Sequence, residues 1–311
     1  DSGLQAELQT MLAMEMDSDF RQILEVISRN INKFLGPNKG NTGSGGSVLR
    51  QQPSLFLQLL RNAVSEEDVS ALIQELGDLG EAGLGVLGNR GFDEILSILS
   101  RYEYSSSVQK EGSYFLATLY YTIPLSSVET PVQLPGGSWA VLHRRQAVEL
   151  LCDAIGSHPE DVETQIAGLT ALTNLLSPLC AVDRSSSNMM QVQTWLMPVW
   201  KRTMQTLQAS IYDCTLQEAG LYLCWILTVI SSEKELQNWM LSLLQHIFDT
   251  MSRFKSVEDL NLVACEVLLR LLPNPECTAF MGNSTCIESL VPFFDGDSSE
   301  LARSASAILS A

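Results

Sequence analysis

Basic residues are scarce in this 311-residue chain, where 19 lysines and arginines face 36 aspartates and glutamates for a formal net charge of −17. A surface of that sign repels phosphate backbones, so no direct contact with nucleic acid is expected. Histidines number three, His143, His158 and His246, and none lies in an H-E-x-x-H pattern; a zinc site has no ligand set to start from. The seven cysteines are an odd number, fall in apolar stretches and never form C-x-x-C. That usage speaks against a disulfide framework and for a reducing, intracellular compartment, cytoplasmic or nuclear. Cys277 and Cys286 come nearest to ligand spacing and stand alone, while Cys152, Cys180, Cys214, Cys224 and Cys265 read as core filler. Apolar runs never reach eighteen residues, and the first residues lack the basic, apolar and small-residue order of a signal peptide. Neither a membrane span nor a leader is expected. The start at Asp1 and the stop at Ala311, inside an apolar helical pattern, read as those of an excised fragment.

Catalytic motifs are missing as well. The chain has no nucleophile elbow and no phosphate-binding lysine loop. Gly83-Leu-Gly-Val-Leu-Gly88 has the glycine spacing of a dinucleotide loop, yet Val69 to Leu76 before it is helical in pattern, where such a loop needs a strand. A glycine-rich turn between helices is expected there. No cofactor, metal or small-molecule substrate is predicted, and a helical enzyme of unrecognised type stays as an alternative without a motif behind it.

What the chain does have is 45% hydrophobic residues, enough to bury a sizeable core. Composition divides it into three pieces. Residues 36–47, Gly-Pro-Asn-Lys-Gly-Asn-Thr-Gly-Ser-Gly-Gly-Ser, carry five glycines and no apolar side chain, the composition of a flexible tether spanning ~20 Å. Before it, residues 1–35 place apolar side chains at Leu4, Leu8, Met11 and Leu12, pause at Asp17-Ser18-Asp19, and resume at Phe20, Ile23, Leu24, Ile27, Ile31 and Phe34. The second set follows i, i+3, i+4, i+7, and predicts an amphipathic helix with its N-cap in the aspartates. Such short helices cannot bury their stripes alone. Two readings follow: a native N-terminal cap on a helical array, or a partner's binding segment tethered to its receptor to raise effective concentration.

Residues 48–311 are helical in pattern and repeat themselves. Small residues Gly112, Gly168, Gly220, Ala264 and Ser304, at separations of 56, 52, 44 and 40, are each followed by large apolar residues about four and seven positions on. A small side chain lets a neighbouring helix approach, and the apolar pair faces a shared core. Each such helix follows another amphipathic segment: Phe92 to Ser100, Arg144 to Ile155, Thr194 to Ser210, Leu236 to Phe254, Ile287 to Phe294. The unit is a helix pair, with a more degenerate leading pair at 53–90. Pro124 to Ser138 and Ser177 to Gln193 read as irregular insertions. Arg144-Arg145, Lys201-Arg202 and Arg253 with Lys255 read as solvated helix ends, and the acidic excess between Ser65 and Glu103 either as a solvated face or as a negative field able to steer a basic partner.

The pattern resembles the armadillo repeat, best at 161–176, where Gly168 is followed by Ala171, Leu172, Asn174 and Leu175; HEAT repeats are similar at this level. The resemblance implies an all-α solenoid of about five to six helix pairs, without enzymatic activity, that binds other proteins. It also implies that positions two and six after each small residue line a groove. Here these are Tyr114 and Thr118, Thr170 and Asn174, Tyr222 and Ile226, Glu266 and Arg270, and Ser306 and Ser310. Only Asn174 keeps the asparagine with which peptide-binding members hold an extended backbone, so docking of a partner's helical segment, in the groove or on a wholly different face, is the expectation, with neither nucleic acid nor membrane as partner. A divergent array fused to a helical segment also resembles the large scaffolds of meiotic recombination or cytoskeletal assembly.

Overall fold

An apolar stripe and a small residue recur in fixed order along the chain, and all but the last of these sets fold as two helices joined by a short turn. The computed structural model describes residues 53–78, 81–122, 131–133, 139–141, 144–181, 187–282, 284–293 and 299–310, all within the unit Gly46–Ala311. Residues 1–35 and the tether at 36–47 lie outside the described residues. Thirteen α-helices are described: α1 Pro53–Asn62, α2 Glu66–Asp78, α3 Glu81–Arg101, α4 Ser106–Thr122, α5 Arg144–Ser157, α6 Val162–Leu176, α7 Ser187–Ala209, α8 Cys214–Ile230, α9 Glu233–Arg253, α10 Glu258–Leu271, α11 Pro275–Met281, α12 Ser284–Leu290 and α13 Ser299–Ser310. Two layers result. In the inner row α2, α4, α6, α8, α10 and α13 pack in succession, and in the outer row α1, α3, α5, α7 and α9 do the same, with α11 and α12 continuing against α9. This is an all-α solenoid, in which each pair buries its apolar face against its neighbours.

The small residues set the spacing between the rows. A Cβ on Gly112 would run into Leu99, one on Gly220 into Leu207, and one on Gly168 would stand 2.5 Å from Ile155 Cγ1. In all three the colliding side chain lies thirteen residues earlier, on the outer helix of the same pair. The missing side chain is therefore filled by a buried aliphatic one, and the two helices pack at close range.

Local chemistry fixes where the helices start. Asp161 accepts from the Thr164 backbone N–H at 3.2 Å and Asp213 from that of Leu216 at 2.9 Å, so α6 and α8 are capped by aspartate. Ser232 and Glu235 form a reciprocal capping box at α9. Stacked rings fill the outer row, with the Trp200 and Trp239 centroids 6.5 Å apart and Trp200 Nε1 donating to Ser231 Oγ at 2.8 Å.

Four expectations need correction. Gly83 to Gly88 is helical, inside α3. Three glycines cost a helix about 1 kcal/mol each, but no proline breaks the run, and the packed end of α3 (Phe92, Ile95, Leu96, Leu99) carries it. The insertion at Pro124 to Ser138 leads into an antiparallel ribbon, β1 Pro131–Gln133 on β2 Trp139–Val141, with Val132 opposite Ala140. Its Val and Trp residues suit a strand, and Leu134-Pro-Gly-Gly-Ser138 between them has turn composition. Within Ser177 to Gln193 the described residues are helical: Ser177–Ala181 form a 3-10 turn and α7 begins at Ser187. Arg144 is not a solvated helix end either, being 1% exposed, whereas Arg145 is exposed and donates to Glu149 at 3.0 Å.

Candidate functional site

Inner helices of a two-layer array are covered on three sides by neighbours, and the fourth side is the face a partner can reach. On α4 that side is recognisable from exposure: Ser107, Lys110, Glu111, Tyr114, Thr118 and Tyr121 are exposed or half-buried, at helical spacing, while the other faces are buried. Tyr114 sits in the middle of this stripe. Burial raises its pKa, aided by the Glu163 carboxylate, so the phenol stays protonated. Lys110 bridges α4 to α6 through Glu163 at 3.0 Å and reaches Glu111 at 3.6 Å. Its hydrogen bond to Glu163 holds the ammonium pKa above the ordinary value, and burial pushes that of Glu111 up. Thr118 donates back to the Tyr114 carbonyl at 3.1 Å.

Going along the row, the stripe changes character. Thr170 on α6 is half-buried, and Asn174 is buried with Nδ2 donating to the Ala117 carbonyl of α4 at 2.9 Å. The carboxamide singled out in the sequence thus ties two inner helices together. On α8, Tyr222 and Ile226 are both buried, as is Trp225. Arg270 of α10, which is exposed, lays its guanidinium 5.6 Å from the Trp225 ring centroid. Glu266 is half-buried and accepts from Ser304 Oγ of α13 at 3.2 Å; Ser306 is half-buried and Ser310 exposed. The inner face is therefore open at α4, closed at α8 and open again at α10 and α13. Phe20, Ile23, Leu24, Ile27, Ile31 and Phe34 lie outside the described residues.

A second series escaped the sequence reading. Three positions before each of the first four small residues stand Gln109, Gln165, Gln217 and Asn261, all buried. Each carboxamide nitrogen donates to two carbonyls of the turn joining its helix pair: Leu99 and Tyr102, His158 and Pro159, Leu207 and Ser210, Phe254 and Val257. The signal was in the repeats once aligned on their small residues. These clamps reach the Leu99 and Leu207 carbonyls near the ends of α3 and α7 and add a second donor to turn carbonyls, Tyr102, His158, Ser210 and Phe254 among them, that already accept a backbone N–H.

Among the described residues no group of three or more His, Cys, Asp and Glu side chains could hold a metal, and no helix is long and apolar enough to cross a membrane. Burial holds the thiols of Cys152, Cys265 and Cys277 protonated, pushing the first two up to about 12 and the third to about 11.

No protein-family profile matches the sequence, and no curated protein does either. Among solved structures, the designed armadillo repeat protein YIII(Dq)4CqI is similar with a TM-score of 0.56 at 12% identity, over 83% of this chain and 98% of that one. A likeness at that identity speaks for the fold, which agrees with the rows of helix pairs described above. In fold, this chain is an armadillo-like helical repeat protein.

Proposed function

We propose that the chain is a non-enzymatic interaction scaffold whose inner face, around Tyr114, Thr118 and Thr170, takes a helical segment of a partner protein. The observation that supports this reading is the use of Asn174. Its amide is spent on the Ala117 carbonyl, so no ladder of free carboxamides remains to hold an extended peptide by its backbone, and recognition falls to side-chain packing against a half-exposed aromatic stripe. Residues 1–35 carry the complementary chemistry: Phe20, Ile23, Leu24, Ile27, Ile31 and Phe34 on one stripe, flanked by Arg21, Arg29 and Lys33. Those cations suit the acidic leading repeats, where Glu67, Asp78 and Glu163 are exposed.

The test removes the tether. Residues 1–35 and 48–311, produced together without residues 36–47, are expected to co-purify, and Ile27→Asp with Ile31→Asp to release the segment. Raising salt from 50 to 500 mM should weaken the pair about tenfold. Separation of the two wild-type pieces at low salt would end the proposal. A native cap instead makes 48–311 insoluble on its own. The resemblance to meiotic recombination scaffolds adds a setting, tested by comparing what the array captures from meiotic and somatic extracts.

A further inference from the structure

Arg144 is the first residue of α5 and 1% exposed, yet its Nε, Nη1 and Nη2 atoms all lack a hydrogen-bond partner. The Tyr120 hydroxyl is in the same condition. Tyr120 and Arg144 lie on helices in contact, α4 and α5, each group opposes electrostatically the shift that burial imposes on the other, and the Tyr120 ring is held edge-on to Phe92 at 6.3 Å. A guanidinium stripped of water and left without acceptors is strongly unfavourable, and the start of a helix adds partial positive charge. Nothing in the repeat pattern calls for an arginine here.

We propose that Arg144, the Tyr120 hydroxyl and the start of α5 form a buried oxyanion site that takes a carboxylate. The guanidinium offers a planar fork that a carboxylate matches with two parallel hydrogen bonds, and the phenol supplies a further donor. Charge balance selects a monoanion: one carboxylate neutralises one guanidinium, whereas a phosphate dianion leaves a net negative charge inside the protein. A small free acid and an acidic side chain of a partner share this chemistry.

Thermal melting of the full chain, at constant ionic strength with chloride as the balancing anion, tests the site. Samples are equilibrated before melting, because a closed site exchanges only through local opening. Formate is expected to raise Tm saturably by about 5 °C near a hundredfold excess over its Kd, and phosphate to do less. Arg144→Met should abolish the response while melting no lower than wild type in chloride alone, since it removes an uncompensated charge. Arg144→Lys keeps the charge without the fork and should respond weakly. N-acetylglutamate amide distinguishes the sources: a response to it as strong as that to formate assigns an acidic side chain, and a response to formate alone a free small acid. Wild-type protein indifferent to both acids overturns the proposal. So does an Arg144→Met protein that still responds, or one that melts well below wild type in chloride.

Discussion

The middle pairs of the array and its last pair are built from the same pattern, but different atoms hold them together. In α5–α6 and α7–α8 a glycine admits an aliphatic side chain from the outer helix, a buried glutamine clamps the turn, and an aspartate caps the inner helix. In the last pair two seven-residue helices, α11 and α12, replace one long outer helix. Leu301 stands where the carboxamide would be, and Ser304 uses its hydroxyl on Glu266 of the preceding pair. Ile287, Val291 and Leu309 are exposed there, whereas α8 is buried from Leu216 to Thr228. Among the described residues the signature is kept where a pair packs between two other described pairs, since there each buried turn carbonyl and each close helix approach must be satisfied at once.

The largest test of that contrast is at the glycines. Gly220→Val puts three carbons where Leu207 already lies and is expected to cost about 4 kcal/mol in denaturant unfolding, the upper end of overpacking. Ser304→Ala at the matching place in the last pair should cost under about 1 kcal/mol, the worth of one hydrogen bond. Gly220→Ala combined with Leu207→Ala should cost less than the sum of the two single changes, because the smaller residue 207 makes room for the new Cβ. Strict additivity would mean that the glycine is not there for the leucine.

Next comes the clamp. Gln217 donates to the Leu207 and Ser210 carbonyls and accepts from His246 Nε2 at 2.6 Å and Thr250 Oγ1 at 3.3 Å. Gln217→Leu takes the carboxamide from all four, leaving the Ser210 carbonyl only the Asp213 N–H and leaving His246 and Thr250 only each other, and about 3 kcal/mol of stability should go with it. Leu301→Gln in the last pair imports the same carboxamide and should stabilise nothing, since that turn is built differently.

These residues also mark what the sequence can and cannot reveal. The helix pairs were legible because small residues recur in step with apolar ones, and a period of that kind survives divergence: packing at Gly112, Gly168 and Gly220 permits no side chain. The glutamine series was equally periodic, yet a lone glutamine reads as a surface residue until burial is known. Arg144 was misread for the same reason. The groove positions were harder still. A repeat template places Asn174, Tyr222 and Ile226 on the inner face, but whether that face is open depends on neighbouring helices distant in sequence. Asn174 bonds Ala117 across 57 residues, a relation that no local spacing encodes.

His246 offers a smaller, pH-dependent effect on the same network. It is 7% exposed, and burial drives its pKa down from 6.5 to about 4, with Asp249 opposing and Arg253 reinforcing the shift. Because the folded value lies below the unfolded one, the unfolded chain takes up the proton first as pH falls. Stability present above pH 6.5 is then lost progressively and levels off below about 4. Denaturant midpoints at pH 7 and pH 5 should differ by about 2 kcal/mol on this account, and His246→Gln should flatten the slope between them by that amount. The last pair holds no histidine, so the slope belongs to the middle of the array. An unchanged slope in the variant would place the titrating group elsewhere.

The smallest expected effect is at an N-cap, where the contrast can be reversed instead of broken. Asp161 and Asp213 cap α6 and α8, but the corresponding Val257 before α10 is extended, at φ −98° and ψ 96°, and makes no side-chain cap bond. Its backbone already has the cap conformation that Asp161 shows at −97° and 94°, so only the acceptor is missing. Glu258 and Asp259 follow directly, and a third carboxylate there would meet repulsion, which recommends a neutral acceptor. Val257→Ser is expected to stabilise the fold by about 0.5 kcal/mol, the typical ~1 kcal/mol of a cap less the partial burial that valine gives up. Asp213→Ala should destabilise by about 1 kcal/mol. A serine at 257 that lowers the denaturant midpoint would show that valine's packing, and not an absent cap, governs the start of α10.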